Sequence, residues 1–122
     1  MFEYRHFKVV HEKGVTVAHL VDPRLFDTLI VTELEDELLD MLDKQKPQKL
    51  LVDFDGVTHC STAVINSLLR AKKRLLARDG QIGLCSLSDT IREAYRLLNL
   101  DGTVFTIYDN QTRGIAAMTL AR

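Results

Sequence analysis

The run Leu50–Phe54 constrains the fold more than any other stretch of this sequence, because nearly every successive residue in it is apolar. Only Asp53 interrupts the run. A strand with apolar residues at successive positions must be buried on both faces, as strands are in a parallel sheet covered by helices. Asp55 and Gly56 then provide a turn, and an amphipathic helix follows. This strand–turn–helix unit predicts an α/β fold.

The N-terminal part of the chain predicts a hairpin. Residues 3–11 and 15–21 both have the composition of strands, and a short link that contains Gly14 separates them. Such a link joins antiparallel strands. Pro23 ends the second strand, because proline cannot donate a hydrogen bond to a central ladder. The connection at residues 24–30 is assigned to no element.

Helices are predicted where apolar residues recur at intervals of three and four. The apolar positions are Val31, Leu34, Leu38, Met41 and Leu42 in the first helix; Val64, Ile65, Leu68, Leu69, Leu75 and Leu76 in the second; Ile91, Ala94, Leu97 and Leu98 in the third; and Ile115, Ala116 and Met118 in the fourth. The opposite face of the first helix is acidic, and we expect it to be solvated. That of the second is basic, and we expect it to be solvated and paired with acidic neighbours. Ser88 is expected to cap the third helix, with a capping box of Thr90 and Glu93 as the alternative, and Gly80 is expected to end the second helix in a left-handed conformation.

The summed order of elements is β-β-α-β-α-β-α-β-α, with Ile82–Cys85 and Val104–Ile107 as the last two strands. Strands that alternate with helices pair in parallel through right-handed βαβ crossovers, and the initial hairpin adds an antiparallel edge. The sequence therefore predicts a mixed sheet in an α/β fold. The chain has 122 residues, which suits a single domain over residues 1–122.

Composition and missing motifs exclude several classes of function. The formal net charge is -1, no apolar run approaches a membrane span, and MFEYRHFK lacks the core of a signal peptide. We therefore expect a cytoplasmic protein without direct nucleic-acid or membrane binding. The sequence contains no GxGxxG, GxxxxGK[ST] or GxSxG motif. Its histidines are scattered, and Cys60 and Cys85 lack a zinc-like spacing. We expect no enzymatic activity, no cofactor, no metal site, and reduced, buried thiols.

The loops at the carboxyl ends of the predicted strands are rich in hydroxyl and carboxylate groups. Ligands and partners of open α/β sheets usually bind at this edge. The loops span residues 22–30, 55–62, 86–89 and 108–110. The candidate partner-binding residues on this rim are Asp27, Thr58, Ser61, Thr62 and Ser88.

Ser61 and Thr62 stand at the predicted start of the second helix, and two interpretations of them stay open. A hydroxyl at this position commonly caps the helix by accepting a bond from an N–H group of the first turn. A phosphate there would instead add about -1.5 to -2 charges beside the positive end of the helix dipole. That charge would be tolerated and would change the surface that a partner meets. Because His59 beside Ser61 does not make a triad, we expect recognition here and not catalysis.

The segment from Val52 to Asn110 carries short motifs in a fixed order. They are a strand ending in Asp, a Gly-Val turn, a hydroxyl at a helix start, a basic stretch, a Gly, an apolar strand, a Ser-capped helix and a final apolar strand. The matching residues are Asp53, Gly56, Val57, Thr58, Leu68, Leu69, Arg70, Lys73, Arg74, Gly80, Ser88, Glu93, Leu97 and Phe105. This order resembles the STAS domain of bacterial anti-sigma factor antagonists. The N-terminal half resembles it more loosely, from Phe26-Asp27 through Leu34 and Leu38.

The resemblance implies a regulatory module that binds an anti-sigma factor/serine kinase or another signalling protein. In the family, that kinase phosphorylates a hydroxyl whose position matches Thr62, with Ser61 as the alternative acceptor here. Where the family has Asp before the acceptor and Gly two residues after it, this chain has Ser61 and Val64. Thr-Ala-Val at this point is also similar to STAS domains of stressosome-type scaffolds. A scaffold or interaction domain that is not phosphorylated is therefore the alternative, and a homodimer is compatible with either function.

Overall fold

A five-stranded mixed sheet forms the centre of the fold, which a computed structural model describes for residues 3–120. The elements are β1 (Phe7–Glu12), β2 (Val15–Leu20), β3 (Arg24–Leu25), α1 (Thr28–Gln45), β4 (Lys49–Asp53), β5 (His59–Cys60), α2 (Thr62–Leu76), β6 (Gln81–Cys85), α3 (Asp89–Leu97), β7 (Thr106–Tyr108) and α4 (Gln111–Leu120). The strand order is β1-β2-β4-β6-β7. Strands β1 and β2 are antiparallel, and the later pairs are parallel. The predicted α/β fold with an initial antiparallel hairpin is confirmed.

The core lies on both faces of the sheet. Helices α1, α2 and α3 bury most of their apolar side chains on one face, and all five apolar positions predicted for α1 are buried. Leu76, predicted for the apolar face of α2, is 58% exposed at the last residue of the helix. Helix α4 covers the other face, where Ile115 and Met118 join Val17 and Leu51 in a second apolar cluster. A Cβ atom at Gly114 would lie 2.8 Å from Leu51 Cδ2. The close approach of α4 to the sheet therefore requires glycine at this position.

The connection at residues 24–30, which the sequence left unassigned, has a defined structure. Its first part is β3, which pairs in parallel with β5 in a separate two-stranded sheet. Asp27 is the N-cap of α1, so this helix begins at Thr28, three residues before the first apolar position predicted for it. Both short strands were absent from the predicted order, because two residues are too few to show a pattern.

The predicted inner stripe of α3 is partly wrong. Leu97 is 73% exposed and Leu98 is 51% exposed, whereas Tyr95 is buried together with Ile91. The helix spans only Asp89–Leu97, and Leu98 is its C-cap. Tyr95, four residues after Ile91, takes the inward position. Leu97, two residues further on, therefore lies on the opposite side of the helix, and Leu98 lies where the helix ends.

The end of α2 also differs from the prediction. Asp79, and not Gly80, has the left-handed conformation, with φ of 58°. A Cβ atom at Gly80 would lie 3.0 Å from Leu75 Cδ2 and 3.2 Å from the Gln48 carbonyl oxygen. Glycine is thus needed at this position for a close approach of chain segments and not for its backbone dihedral.

Opposite charges join α1 and α2. Arg74 Nη1 lies 2.8 Å from Asp43 Oδ2, and Arg70 pairs with Glu35. The prediction that basic side chains of α2 pair with acidic neighbours is confirmed. The complementary prediction, a solvated acidic face on α1, is wrong in part, because these carboxylates bind α2 and others bind the segment before β1.

That segment is held to α1 through His6, which is buried just before β1. Its Nδ1 lies 2.6 Å from Asp22 Oδ2, and its Nε2 lies 2.9 Å from Glu33 Oε1. Burial lowers the pKa of His6, but the hydrogen bonds to Glu33 and Asp22 and the charges of Asp22 and Glu37 outweigh burial and raise this pKa above its ordinary value. The sequence placed His6 within a strand and gave no sign of this network.

Candidate functional site

The turn after β4 is held by Asp53, the residue that interrupts the apolar run. Its side chain is buried, its Oδ1 accepts a hydrogen bond from the Asp55 amide at 2.9 Å, and its Oδ2 lies 3.0 Å from His19 Nδ1. A buried carboxylate needs such partners to offset the loss of water. Asp53 therefore fixes the direction in which the chain leaves the sheet towards α2.

The pairing of β3 with β5 brings the starts of α1 and α2 together. The Thr58 amide donates to the Pro23 carbonyl at 2.7 Å, and the Ser61 amide donates to the Leu25 carbonyl at 2.8 Å. The Thr58 hydroxyl also donates to the Pro23 carbonyl, at 3.0 Å. As a result, residues that are more than thirty positions apart in the sequence form one surface.

The starts of α1, α2 and α3 differ in how they are capped. Asp27 Oδ1 accepts hydrogen bonds from Leu29 N at 2.9 Å and from Ile30 N at 3.3 Å. The Ser88 hydroxyl accepts one from Ile91 N at 3.3 Å, as predicted. Ser61 occupies the N-cap position of α2 with an extended backbone, but its side chain makes no capping hydrogen bond. The interpretation of Ser61 as a capping hydroxyl is therefore wrong.

The two adjacent hydroxyl residues at the start of α2 have different surroundings. Ser61 Oγ is buried and has no hydrogen-bond partner within residues 3–120. Thr62, the first residue of α2, is exposed. The first turn of α2 contains no acidic residue, and a helix N-terminus favours a negative charge. An anionic group on Thr62 would thus be accessible to solvent and electrostatically favoured.

A cleft of about 310 Å³ lies beside this helix start, between α2 and α3. It is lined by Phe26, Thr58, His59, Cys60, Ser61, Thr62, Ile65, Thr90, Ile91, Ala94 and Tyr95. Of the candidate residues, Thr58, Ser61 and Thr62 line the cleft. Asp27 and Ser88 do not, although their sequence neighbours Phe26, Thr90 and Ile91 do. The sequence missed Phe26 and Tyr95, since nothing in their local pattern marks them as neighbours of Ser61.

Two titratable groups of the cleft, Cys60 and Tyr95, are held in their neutral forms by burial. Burial raises the pKa of the Cys60 thiol to about 12, and it raises the pKa of Tyr95 well above its ordinary value. A reactive cysteine needs the opposite shift, because the thiolate is the nucleophile. The Cys85 thiol, buried on the other face of the sheet, also has its pKa raised by burial to about 12. Both cysteines are unpaired, and Cys60 is only partly buried, although the sequence predicts two buried thiols.

The described residues hold neither a cluster of candidate metal ligands nor a membrane-spanning helix. No group of three or more His, Cys, Asp or Glu side chains is arranged to hold a metal ion. No helix in the described part of the chain is long and apolar enough to cross a membrane.

The fold and the helix-start surface define a small α/β domain with a mixed sheet. The STAS domain family matches residues 6–112, and the chain belongs to this family. A STAS domain protein from Planctomyces limnophilus, described as an anti-sigma-factor antagonist, is 26% identical and has a TM-score of 0.80, with 92% of this chain and 96% of that chain covered. No curated protein sequence matches the chain.

Two further solved structures share the fold at lower identity. The Bacillus cell fate determinant SpoIIAA in its phosphorylated form is 15% identical, with a TM-score of 0.69 and coverage of 92% of this chain and 98% of that chain. RsbS from Moorella thermoacetica is 12% identical, with a TM-score of 0.74 and coverage of 93% of this chain and 95% of that chain. The chain is therefore similar in structure to anti-sigma factor antagonists over nearly its whole length.

Proposed function

We propose that this chain is a cytoplasmic regulatory module that binds an anti-sigma factor/serine kinase and is switched by phosphorylation of Thr62. The observation that carries the proposal is the exposed Thr62 at the uncapped start of α2, in a chain that belongs to the STAS family. In this proposal the chain acts as one domain and has no enzymatic activity of its own.

The choice of Thr62 over Ser61 is supported by accessibility. A kinase must bring the γ-phosphate of ATP in line with the acceptor oxygen. Ser61 Oγ is buried, whereas the Thr62 side chain is exposed. Phosphorylation of Ser61 would require the start of α2 to open, and phosphorylation of Thr62 requires no such change.

The docking surface that we propose surrounds Thr62. It comprises Thr58 and Ser61 in the cleft and the two capping residues Asp27 and Ser88 beside it. The exposed Phe26 adds an aromatic ring to this surface, packed edge-on against the His59 ring at 6.2 Å between centroids. Aromatic residues are enriched at the centres of protein interfaces. A phosphate on Thr62 would put a doubly charged group on this surface and weaken the complex.

The test is a phosphorylation assay with the anti-sigma kinase of the native host and ATP. We expect a single phosphate on Thr62 by mass spectrometry, absent in Thr62→Ala. Label should be retained in Ser61→Ala and in Thr90→Ala, the matched control with an exposed threonine in the same cleft. In a pull-down, Thr62→Asp should lower affinity for the kinase by about tenfold or more, which corresponds to about 1.4 kcal/mol. The absence of label on both Thr62 and Ser61 would sink the proposed switch.

A scaffold without a switch is the second candidate, and one observation favours it. Val64 is fully buried at the position where the family has a flexible glycine, so the start of α2 is packed into the core. If Thr62→Asp and Thr62→Ala bind the partner as tightly as the wild type does, the scaffold is the better description.

A further inference from the structure

The cleft beside α2 contains two buried hydroxyl groups that the rest of the described chain leaves unsatisfied. Tyr95 is only 1% exposed, and its hydroxyl has no hydrogen-bond partner within residues 3–120. Ser61 Oγ is in the same situation, and both residues line the cleft. Buried polar groups in native proteins are nearly always hydrogen-bonded, so each exception requires an explanation.

Tyr95 itself is packed as a core residue. Its ring lies 6.1 Å from the Phe105 ring in an edge-to-face arrangement, on the inner face of α3. Phenylalanine would fill the same position and would leave no hydroxyl unsatisfied. The packing of the ring therefore does not explain why the hydroxyl is present. A ligand in the cleft that accepts a hydrogen bond from the hydroxyl would explain it.

The lining of the cleft specifies the chemistry of such a ligand. It includes the apolar side chains of Phe26, Ile65, Ile91 and Ala94, and it contains no Lys, Arg, Asp or Glu. Among these apolar walls a charged group would lose its hydration, and His59 is the only side chain of the lining that could offer it a counter-charge, so an uncharged ligand fits better. The volume of about 310 Å³ lies at the lower end of the range for small-molecule sites.

We propose that this cleft binds a compact, uncharged and largely apolar small molecule that carries one oxygen acceptor for the Tyr95 hydroxyl. The apolar walls hold the body of the molecule, and Tyr95 fixes its orientation. Ser61 supplies a second hydroxyl at the edge of the cleft. This binding goes beyond the proposed function in protein recognition and does not depend on it.

The test uses the purified chain, with acetophenone as probe and ¹H–¹⁵N NMR titration as readout. Ethylbenzene has the same apolar body without the oxygen, and benzoate has a similar body with a charge. We expect acetophenone to shift the amide signals of residues that line the cleft, with a dissociation constant on the order of 1 mM. Ethylbenzene should bind about five- to tenfold more weakly, which is the effect of one hydrogen bond. Benzoate should not shift these signals.

Tyr95→Phe separates a ligand-binding role from a structural one. We expect it to bind acetophenone about five- to tenfold more weakly while its melting temperature stays equal to or above that of the wild type. Tyr108→Phe, on β7 and outside the cleft, is the matched control and should bind acetophenone normally. Ala94→Leu fills the cleft and should abolish binding.

Three results would overturn the proposal. They are an absence of shifts at the cleft with millimolar acetophenone, equal affinities of Tyr95→Phe and wild type, and a clear fall in the melting temperature of Tyr95→Phe. The last would mean that the hydroxyl has a structural partner. None of these results bears on phosphorylation of Thr62, so the two proposals fail independently.

Discussion

The buried His6 network makes a quantitative prediction about stability and pH. Replacing His6 with Gln removes the imidazolium charge and leaves a single amide nitrogen where the ring has two nitrogen atoms. The ring nitrogens lie 2.6 Å from Asp22 and 2.9 Å from Glu33, and these two partners have side-chain exposures of 24% and 35%. A hydrogen bond to a charged group contributes about 1.5–3 kcal/mol, and partly exposed partners belong at the lower end. We expect His6→Gln to lose about 2 kcal/mol of unfolding free energy at pH 6.

The sign of the pH dependence follows from the direction of the pKa shift. The pKa of His6 is raised in the folded protein, so the folded state holds the proton more tightly than the unfolded state does. Its contribution is complete below the unfolded pKa of about 6.5 and is lost as the pH rises through the higher folded pKa. The stability difference between wild type and His6→Gln should therefore be largest near pH 6 and shrink towards pH 9.

Urea denaturation at pH values from 6 to 9 measures this difference directly. His11→Gln is the matched control, because His11 is exposed and its ring forms a hydrogen bond with the uncharged Gln45 side chain, at 3.2 Å. This control should lie within about 0.5 kcal/mol of the wild type throughout. A difference for His6→Gln that is constant or grows with pH would refute the reasoning.

Three further predictions follow from single contacts. Ser88→Ala should lower the unfolding free energy, measured by urea denaturation, by about 1 kcal/mol, whereas Ser61→Ala should leave it unchanged or raise it. The reason is that the Ser88 hydroxyl caps its helix and the Ser61 hydroxyl does not. Equal losses in the two variants would contradict this. Gly114→Ala should lower the unfolding free energy by about 1–2 kcal/mol, because the collision of the new methyl group with Leu51 outweighs the higher helix propensity of alanine. An increase in stability would show that the Leu51 side chain can move aside. Cys60, with its pKa raised to about 12, should react with iodoacetamide at pH 8 about a thousandfold more slowly in the folded protein than in urea, and comparable rates would contradict its burial.

The sequence predicted those parts of the fold that depend on long, periodic patterns. The five apolar positions of α1 are all buried, because an 18-residue helix repeats its pattern over several turns. The apolar run that forms most of β4 is also buried as predicted, because successive apolar residues of a strand point to opposite faces of the sheet. In α3, by contrast, the apolar pattern predicts core positions for Leu97 and Leu98, which lie at the last residue and the C-cap of a short helix and are exposed. Periodicity alone does not locate the last turn of a short helix.

The candidate site was only partly accessible to sequence reasoning. The position of Thr62 at a helix start, and the cap at Ser88, follow from local preferences and were found. The β3–β5 pairing and the cleft lined by Phe26 and Tyr95 depend on contacts between segments far apart in the chain. Whether a hydroxyl is satisfied, as at Ser61 and Tyr95, is a property of the assembled core, and no local pattern encodes it.

The position of α4 has a consequence for biosynthesis. Every strand of the sheet precedes α4 in the chain, so β2, β4 and β6 are synthesised before the helix that packs on Val17, Leu51 and Cys85. At about 5–20 residues per second, the 10 residues of α4 take roughly 0.5–2 s to synthesise. Until α4 packs against it, the sheet face that contains Val17, Leu51 and Cys85 is an uncovered apolar surface, and such surfaces favour aggregation. A premature stop before α4 would fix the protein in that state.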